Sequence, residues 1–274
     1  MPEMRQAVFR GTFYPAPAKE LADLVRSNIS AANVSGVRNA CSYIVPHAGY
    51  MYSGKTAGFA YKAIAMGAKA KDADTIVIIG PNHTGIGKPV SLSLADWSTP
   101  LGVALNDTKL SERIIKVGSA EPDERAHSDE HSIEVQLPYL KQIFPEKRFV
   151  FICMMDQSAQ AAEMVSKSIY DASKELGRRS VVIATSDFNH YEPEAVTKEK
   201  DRAVINPIER LDTNGFVDLV KTLPSSVCGP GPIIASMKFG AAMGAKRAKL
   251  LDYSTSASSE SNEHVVGYSS IAIL

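Results

Sequence analysis

Three apolar runs of the chain each lead into a short polar turn that ends on histidine. They are Cys41–Val45 into Pro46-His47, Thr75–Ile79 into Gly80-Pro81-Asn82-His83, and Val181–Ala184 into Thr185-Ser186-Asp187-Phe188-Asn189-His190. Imidazole is a common metal ligand and the side chain that exchanges protons near neutrality. If the runs are strands of one parallel sheet, three histidines and Asp187 gather outside the strands' carboxyl ends, where open α/β sheets bind their ligands. The chemistry on offer is a metal site or an acid–base site.

Cys228 is the third chemically eligible group. It stands in Ser225-Ser226-Val227-Cys228-Gly229-Pro230-Gly231-Pro232, just before an apolar helical pattern. A thiol at a helix start has its thiolate favoured by the helix dipole, so Cys228 is expected to be the reactive cysteine. Cys41 and Cys153 sit in apolar runs and read as small buried hydrophobes. Three scattered cysteines make no disulfide framework, which points to a reducing, cytoplasmic setting.

Two further patterns compete for attention. Gly49-Tyr50-Met51-Tyr52-Ser53-Gly54-Lys55-Thr56 matches the phosphate-binding P-loop, after a strand and before a helix, and raises a nucleotide hydrolase as an alternative. Two tyrosines and a methionine fill positions where small residues normally let backbone N–H groups close on phosphate, which suits an aromatic-walled pocket better. His127-Ser128-Asp129-Glu130-His131 has the order of one zinc-peptidase motif. Ser128 and Asp129 are helix-start residues and the apolar period begins at Ile133, so the favoured reading is a polar loop entering a helix over 132–144. His127 then points elsewhere, and His131 is left as a pocket residue. Gly85-Ile86-Gly87 lacks the third glycine of a dinucleotide fingerprint.

The elements that must position these groups alternate along the chain. Strands are expected at Ser42–Val45, Thr75–Ile79, Val90–Leu94, Arg148–Met154, Ser180–Ala184, Ala248–Tyr253 and Gly267–Ile273. Helices are expected at Ala18–Ser30, Ser53–Met66, Thr108–Val117, Ser132–Phe144, Ala159–Leu176, Ala195–Leu211, Thr213–Thr222 and Ile233–Met243. Strand–helix alternation implies βαβ units, and continuously apolar strands imply a sheet covered on both faces. The expected fold class is a single α/β domain over residues 1–274, with a central, mostly parallel sheet. The Ser-rich stretch Ser254–Ser261 reads as a loop within it. Of the 274 residues 45% are hydrophobic, enough for a sizeable core. Thirty basic residues balance thirty acidic ones without a long basic run, which argues against a nucleic-acid partner. No apolar run reaches membrane-spanning length, which argues against a membrane.

Taken together, the motifs resemble the Memo family, whose prokaryotic members are also called AmmeMemoRadiSam system protein B. The ordered segments are Pro46–Gly54, Gly80–His83, Thr99–Gly102, Glu130–Pro138, Ser186–His190 and Cys228-Gly229, and the likeness runs from about Arg10 to the end of the chain. The resemblance implies a fold similar to that of class III extradiol dioxygenases, which hold iron on two histidines and a glutamate. Carried over by motif, His47 and His83 match the histidine ligands and Cys228 stands where the glutamate would be. His190 resembles the acid–base histidine, with Asp187 beside it, and Tyr50, Asn82 and His131 fall to the substrate. The family motif stops at Gly54, so Lys55-Thr56 is incidental to it.

Thiolate in place of carboxylate makes a softer, oxidisable site, and ring cleavage does not follow from the fold. The resemblance implies a mononuclear iron or copper ion, with zinc as a further option, and metal-dependent redox chemistry on an unidentified substrate. The alternative is a non-catalytic module that keeps the pocket for a peptide or small molecule. Oligomerisation is left open.

Overall fold

The computed structural model describes residues 3–258 and 263–274. In chain order it contains α1 (Ala18–Ala31), β1 (Ser42–Val45), α2 (Tyr50–Met66), α3 (Ala68–Asp72), β2 (Thr75–Pro81), β3 (Val90–Ser93), β4 (Trp97–Thr99) and β5 (Gly102–Asn106). It continues with α4 (Thr108–Val117), β6 (Glu121–Pro122), α5 (Arg125–Ser128), a 3-10 turn (Glu134–Gln136), α6 (Leu137–Ile143), β7 (Arg148–Met154), α7 (Ala159–Glu175) and β8 (Ser180–Thr185). The remainder is β9 (His190–Glu192), α8 (Glu194–Glu209), α9 (Thr213–Thr222), α10 (Pro230–Ala242), β10 (Ala248–Thr255) and β11 (Val265–Ile273).

All seven expected strands are present in one sheet of order β10-β11-β1-β8-β2-β7-β3-β6. The central strands β1, β8, β2 and β7 are parallel, while β11 and β3 flank them antiparallel. Because successive side chains of a strand face opposite ways, each apolar run feeds two cores. Ile44, Val77, Val150 and Val182 pack with α4, α7, α8, α9 and α10 on one face. Tyr43, Ile76, Phe149 and Val181 pack with α1, α2, α3 and α6 on the other. The continuously apolar strands are thus doubly buried, as parallel strands must be.

Three expectations are corrected. The helix expected over 132–144 starts at Leu137, after a 3-10 turn, because Ser132 is held to the end of β2: its hydroxyl donates to Pro81 O at 3.1 Å. The Ser-rich loop expected over 254–261 is strand through Thr255 and 3-10 turn over Ser256–Ser258, and its residues 259–261 lie outside the described residues. The P-loop alternative fails on conformation. Tyr50–Thr56 is the start of α2, and Thr56 Oγ1 donates to Asp252 Oδ2 at 2.8 Å. No loop remains there to cradle phosphate. Among the described residues no helix is long and apolar enough to cross a membrane.

Candidate metal centre

The parallel register brings three strand ends to one level. Val45 pairs with Thr185, and Ile79 with Ala184. His47, His83 and Asp187 each stand two residues past their strand, so one mouth collects all three. Backbone bonds knit the turns together: His47 N–H donates to Asp187 Oδ1 at 2.8 Å, and Asn82 N–H donates to Met154 O at 2.9 Å.

His83 is oriented by Glu130. The carboxylate accepts the His83 backbone N–H at 2.6 Å and faces ring Nδ1 at 2.9 Å. Burial works to raise the Glu130 pKa, but the bonds and charge of His83 and the nearby His131 outweigh it and hold it at about 2. An ionised carboxylate only accepts, so Nδ1 is the nitrogen that donates to Glu130 and Nε2 is outside this bond. His47 is buried, its Nδ1 2.7 Å from Thr185 Oγ1, which also accepts from Gln136 Nε2 at 3.1 Å.

The third imidazole is His131. It stacks on His83 with centroids 4.7 Å apart, lies 4.6 Å from the Phe13 ring, and meets His47 edge-on at 5.3 Å. One nitrogen from each of His47, His83 and His131 lies within 4.8 Å of the others, a group that can hold a metal ion. Burial and then the charge of His83 press the His47 pKa well below its ordinary value. Burial and then the charge of His47 press His131 to about 3. Both rings are therefore neutral near pH 7, the ligating form.

A family model described as Memo-like protein matches residues 5–272. The chain belongs to the Memo family. It is 41% identical to a MEMO1 family protein of Archaeoglobus fulgidus and 40% identical to one of Ignicoccus hospitalis, each over 98% of both chains. Its fold is similar to the crystal structure of uncharacterized protein JW3007 from Escherichia coli K12. That match has a TM-score of 0.55 and 12% identity, covering 85% of this chain and 99% of the other.

In this Memo-family chain Cys228 meets the imidazole group at His47, with Sγ 3.1 Å from Nε2. The mutual group shares His47 and His83 with the expected set of His47, His83 and Cys228 and adds His131, while the Cys228 thiol reaches it through His47. Gly229 makes the approach feasible, since a Cβ there would sit 2.7 Å from Thr185 O. The expected activation of the thiol is also corrected. Burial and then the charge of Asp187 push its pKa up. The first-turn N–H groups of α10 are missing or engaged elsewhere, so they do not bond the sulfur. Pro230 and Pro232 have no N–H, Gly229 N–H donates to Ser186 Oγ at 2.9 Å, and Gly231 N–H donates to Gln157 Oε1 at 2.8 Å. Asp187 N–H donates to the sulfur at 3.1 Å.

His190 is separate from the three-imidazole group. Its Nδ1 lies 2.9 Å from Ser226 O, an obligate acceptor, so Nδ1 bears the proton and Nε2 is the basic nitrogen. Asp187 is buried with its pKa raised by burial, against the lowering effects of its bond from His47 and the charge of His190.

The remaining expected residues divide. Tyr50 is core: it is 6% exposed and donates to Val135 O at 2.6 Å, packed against Tyr14 and Tyr139. Asn82 shapes its own loop, accepting from Thr84 N–H, Thr84 Oγ1 and Gly85 N–H and donating to Ile86 O. Both are thus bound to their own surroundings, Tyr50 in the core and Asn82 within its loop. His127 faces away, fully buried against Trp97 with neither ring nitrogen partnered by protein among the described residues. Glu130 is the residue that the motif reading passed over. Its signal in the sequence is an acid directly before His131.

Proposed function

We propose that His47, His83 and His131 hold a single transition-metal ion, with Cys228 as a soft donor beside it, and that the site performs redox chemistry on a small molecule or peptide. The observation that carries this reading is the mutual approach of three imidazole nitrogens within 4.8 Å. The donor set fits such a group: imidazole suits zinc, copper, iron and nickel, and a neighbouring thiol biases the site toward softer ions. Glu130 behind His83 supplies the carboxylate–histidine pairing that orients metal-ligating rings. When bound, iron or copper would supply electron transfer and Lewis acidity.

The chain's own residues handle protons and position. His190 Nε2 accepts a proton from an acidic O–H or N–H presented at the mouth, while Ser226 O fixes the ring. Asp187 holds the His47 backbone by its Oδ1, with Oδ2 3.9 Å from His47 Nε2. Burial raises its pKa above the ordinary carboxyl value.

A second reading, binding without turnover, is favoured by Tyr191, which is 75% exposed in a left-handed backbone (φ 58°) beside His190. The two readings part on metal content and turnover. Protein purified without chelator should carry one transition-metal ion per chain, lost in His47→Ala and His131→Ala. Dioxygen or peroxide consumption should fall in His190→Ala with the metal retained. Equal, negligible metal in wild type and His131→Ala would reject the metal reading.

A further inference from the structure

The segment that supplies Glu130 and His131 is irregular backbone between α5 and the 3-10 turn, so its placement needs an external holder. That holder is Arg5. Its guanidinium donates from Nε to His127 O at 2.6 Å and from Nη2 to Glu130 O at 3.0 Å. Nη1 pairs with the fully buried Glu134 carboxylate at 2.6 Å, and the cation lies 4.1 Å over the Trp97 ring. Trp97 is itself immobilised by stacking on Phe151 and by donating to Ser93 Oγ. The Arg5 backbone is pinned on both sides: its N–H donates to Asp96 O and its carbonyl accepts from Ser98 N–H.

Glu134 ties the same N-terminal stretch to the site. It accepts Phe9 N–H at 2.8 Å, Val8 N–H at 3.2 Å and Tyr14 O–H at 2.7 Å. These bonds seat Phe13 against His131. A planar guanidinium can serve two carbonyls and a carboxylate at once, which a lysine ammonium on its flexible stem cannot reproduce.

We propose that Arg5 is a positioning residue of the metal centre: its fork clamps the carbonyls of His127 and Glu130, which aims Glu130 at His83 and His131 at the imidazole group. The inference rests on the metal reading above and goes beyond it, because Arg5 touches no ligand atom.

The test uses cobalt(II) as probe on the full-length protein, read by titration calorimetry and by its visible absorption bands. Arg5→Lys keeps the charge opposite Glu134 and should fold, yet should weaken cobalt binding by roughly 10- to 100-fold and change the bands, as loss of an outer support does. Arg5→Met should weaken it further if it folds. Ile169→Ala, in the core on the opposite face of the sheet, should lower the melting temperature without altering affinity or spectrum. Wild-type affinity and bands in Arg5→Lys would overturn the proposal, as would a loss that Ile169→Ala reproduces. Failure of the wild type to bind cobalt would reject the metal reading itself and, with it, this role for Arg5.

Discussion

Glu130 holds His83 by two bonds, one to the backbone N–H and one to ring Nδ1, in the ring that groups with His47 and His131. A single buried carboxylate thus fixes both the backbone and the ring of His83. Glu130→Gln keeps the shape and removes the charge. It should weaken transition-metal binding by roughly 10- to 100-fold while the far-ultraviolet circular dichroism stays unchanged. Undiminished affinity in calorimetry would contradict the role given to Glu130.

The Cys228 thiol should be sluggish in metal-free protein. With its pKa raised by burial and the Asp187 charge, little thiolate exists near neutrality. Alkylation by iodoacetamide at pH 7.5, followed by mass spectrometry, should run well below the rate of free cysteine and climb only as pH rises above 9. Fast labelling at neutral pH would restore the dipole-activated thiol expected from the sequence.

Gly229 is predicted to tolerate no side chain. Its Cβ would press on Thr185 O at 2.7 Å and Ser186 Cβ at 2.9 Å, backbone and turn that cannot yield cheaply. Gly229→Ala should cost about 1–3 kcal/mol in urea denaturation and speed Cys228 alkylation by shifting the thiol from His47. Wild-type values for both would refute the close-approach account.

Two buried groups away from the imidazole cluster should shape the pH dependence of stability with opposite signs. Burial and then the charge of Arg5 lower His127 to about 3, from an ordinary 6.5. The unfolded chain then takes up this proton first, so its stability contribution is present above pH 6.5 and is lost as pH falls toward 3. Asp201, raised to about 6 by burial against its bonds from Tyr253 and Asn189, contributes in the opposite sense. Its contribution is full below the ordinary carboxyl pKa and disappears as pH rises through 6. Going from pH 7 to pH 5, His127→Phe should lose about 2 kcal/mol less than wild type, and Asp201→Asn about 1 kcal/mol more. Urea midpoints at the two pH values, with m-values held constant, check both signs.

Much of this arrangement was legible in the residues. The doubly buried runs Thr75–Ile79 and Val181–Ala184 identify themselves by β-branched content, and the turns ending on His47 and His83 follow from where such strands stop. His131 was harder, because its place depends on contacts distant in sequence. Ser132 is drawn to Pro81 O, Glu130 to His83, and Phe13 covers the ring from the other side. None of these has a local signal. The same holds for Cys228, where the helix start was visible but not that Ser186 and Gln157 would take up the available N–H groups. His190 is likewise fixed from afar, by Ser226, thirty-six residues along the chain.

The central claim is that three imidazoles, His131 among them, form the metal site. Calorimetric titration of chelator-treated wild type, His131→Ala and Cys228→Ala with cobalt(II) tests it most directly. The account predicts one ion per chain in wild type, binding abolished or weakened by at least about 100-fold in His131→Ala, and a smaller loss in Cys228→Ala. Unchanged binding in His131→Ala, with loss confined to Cys228→Ala, would contradict it and restore the two-histidine, one-cysteine set.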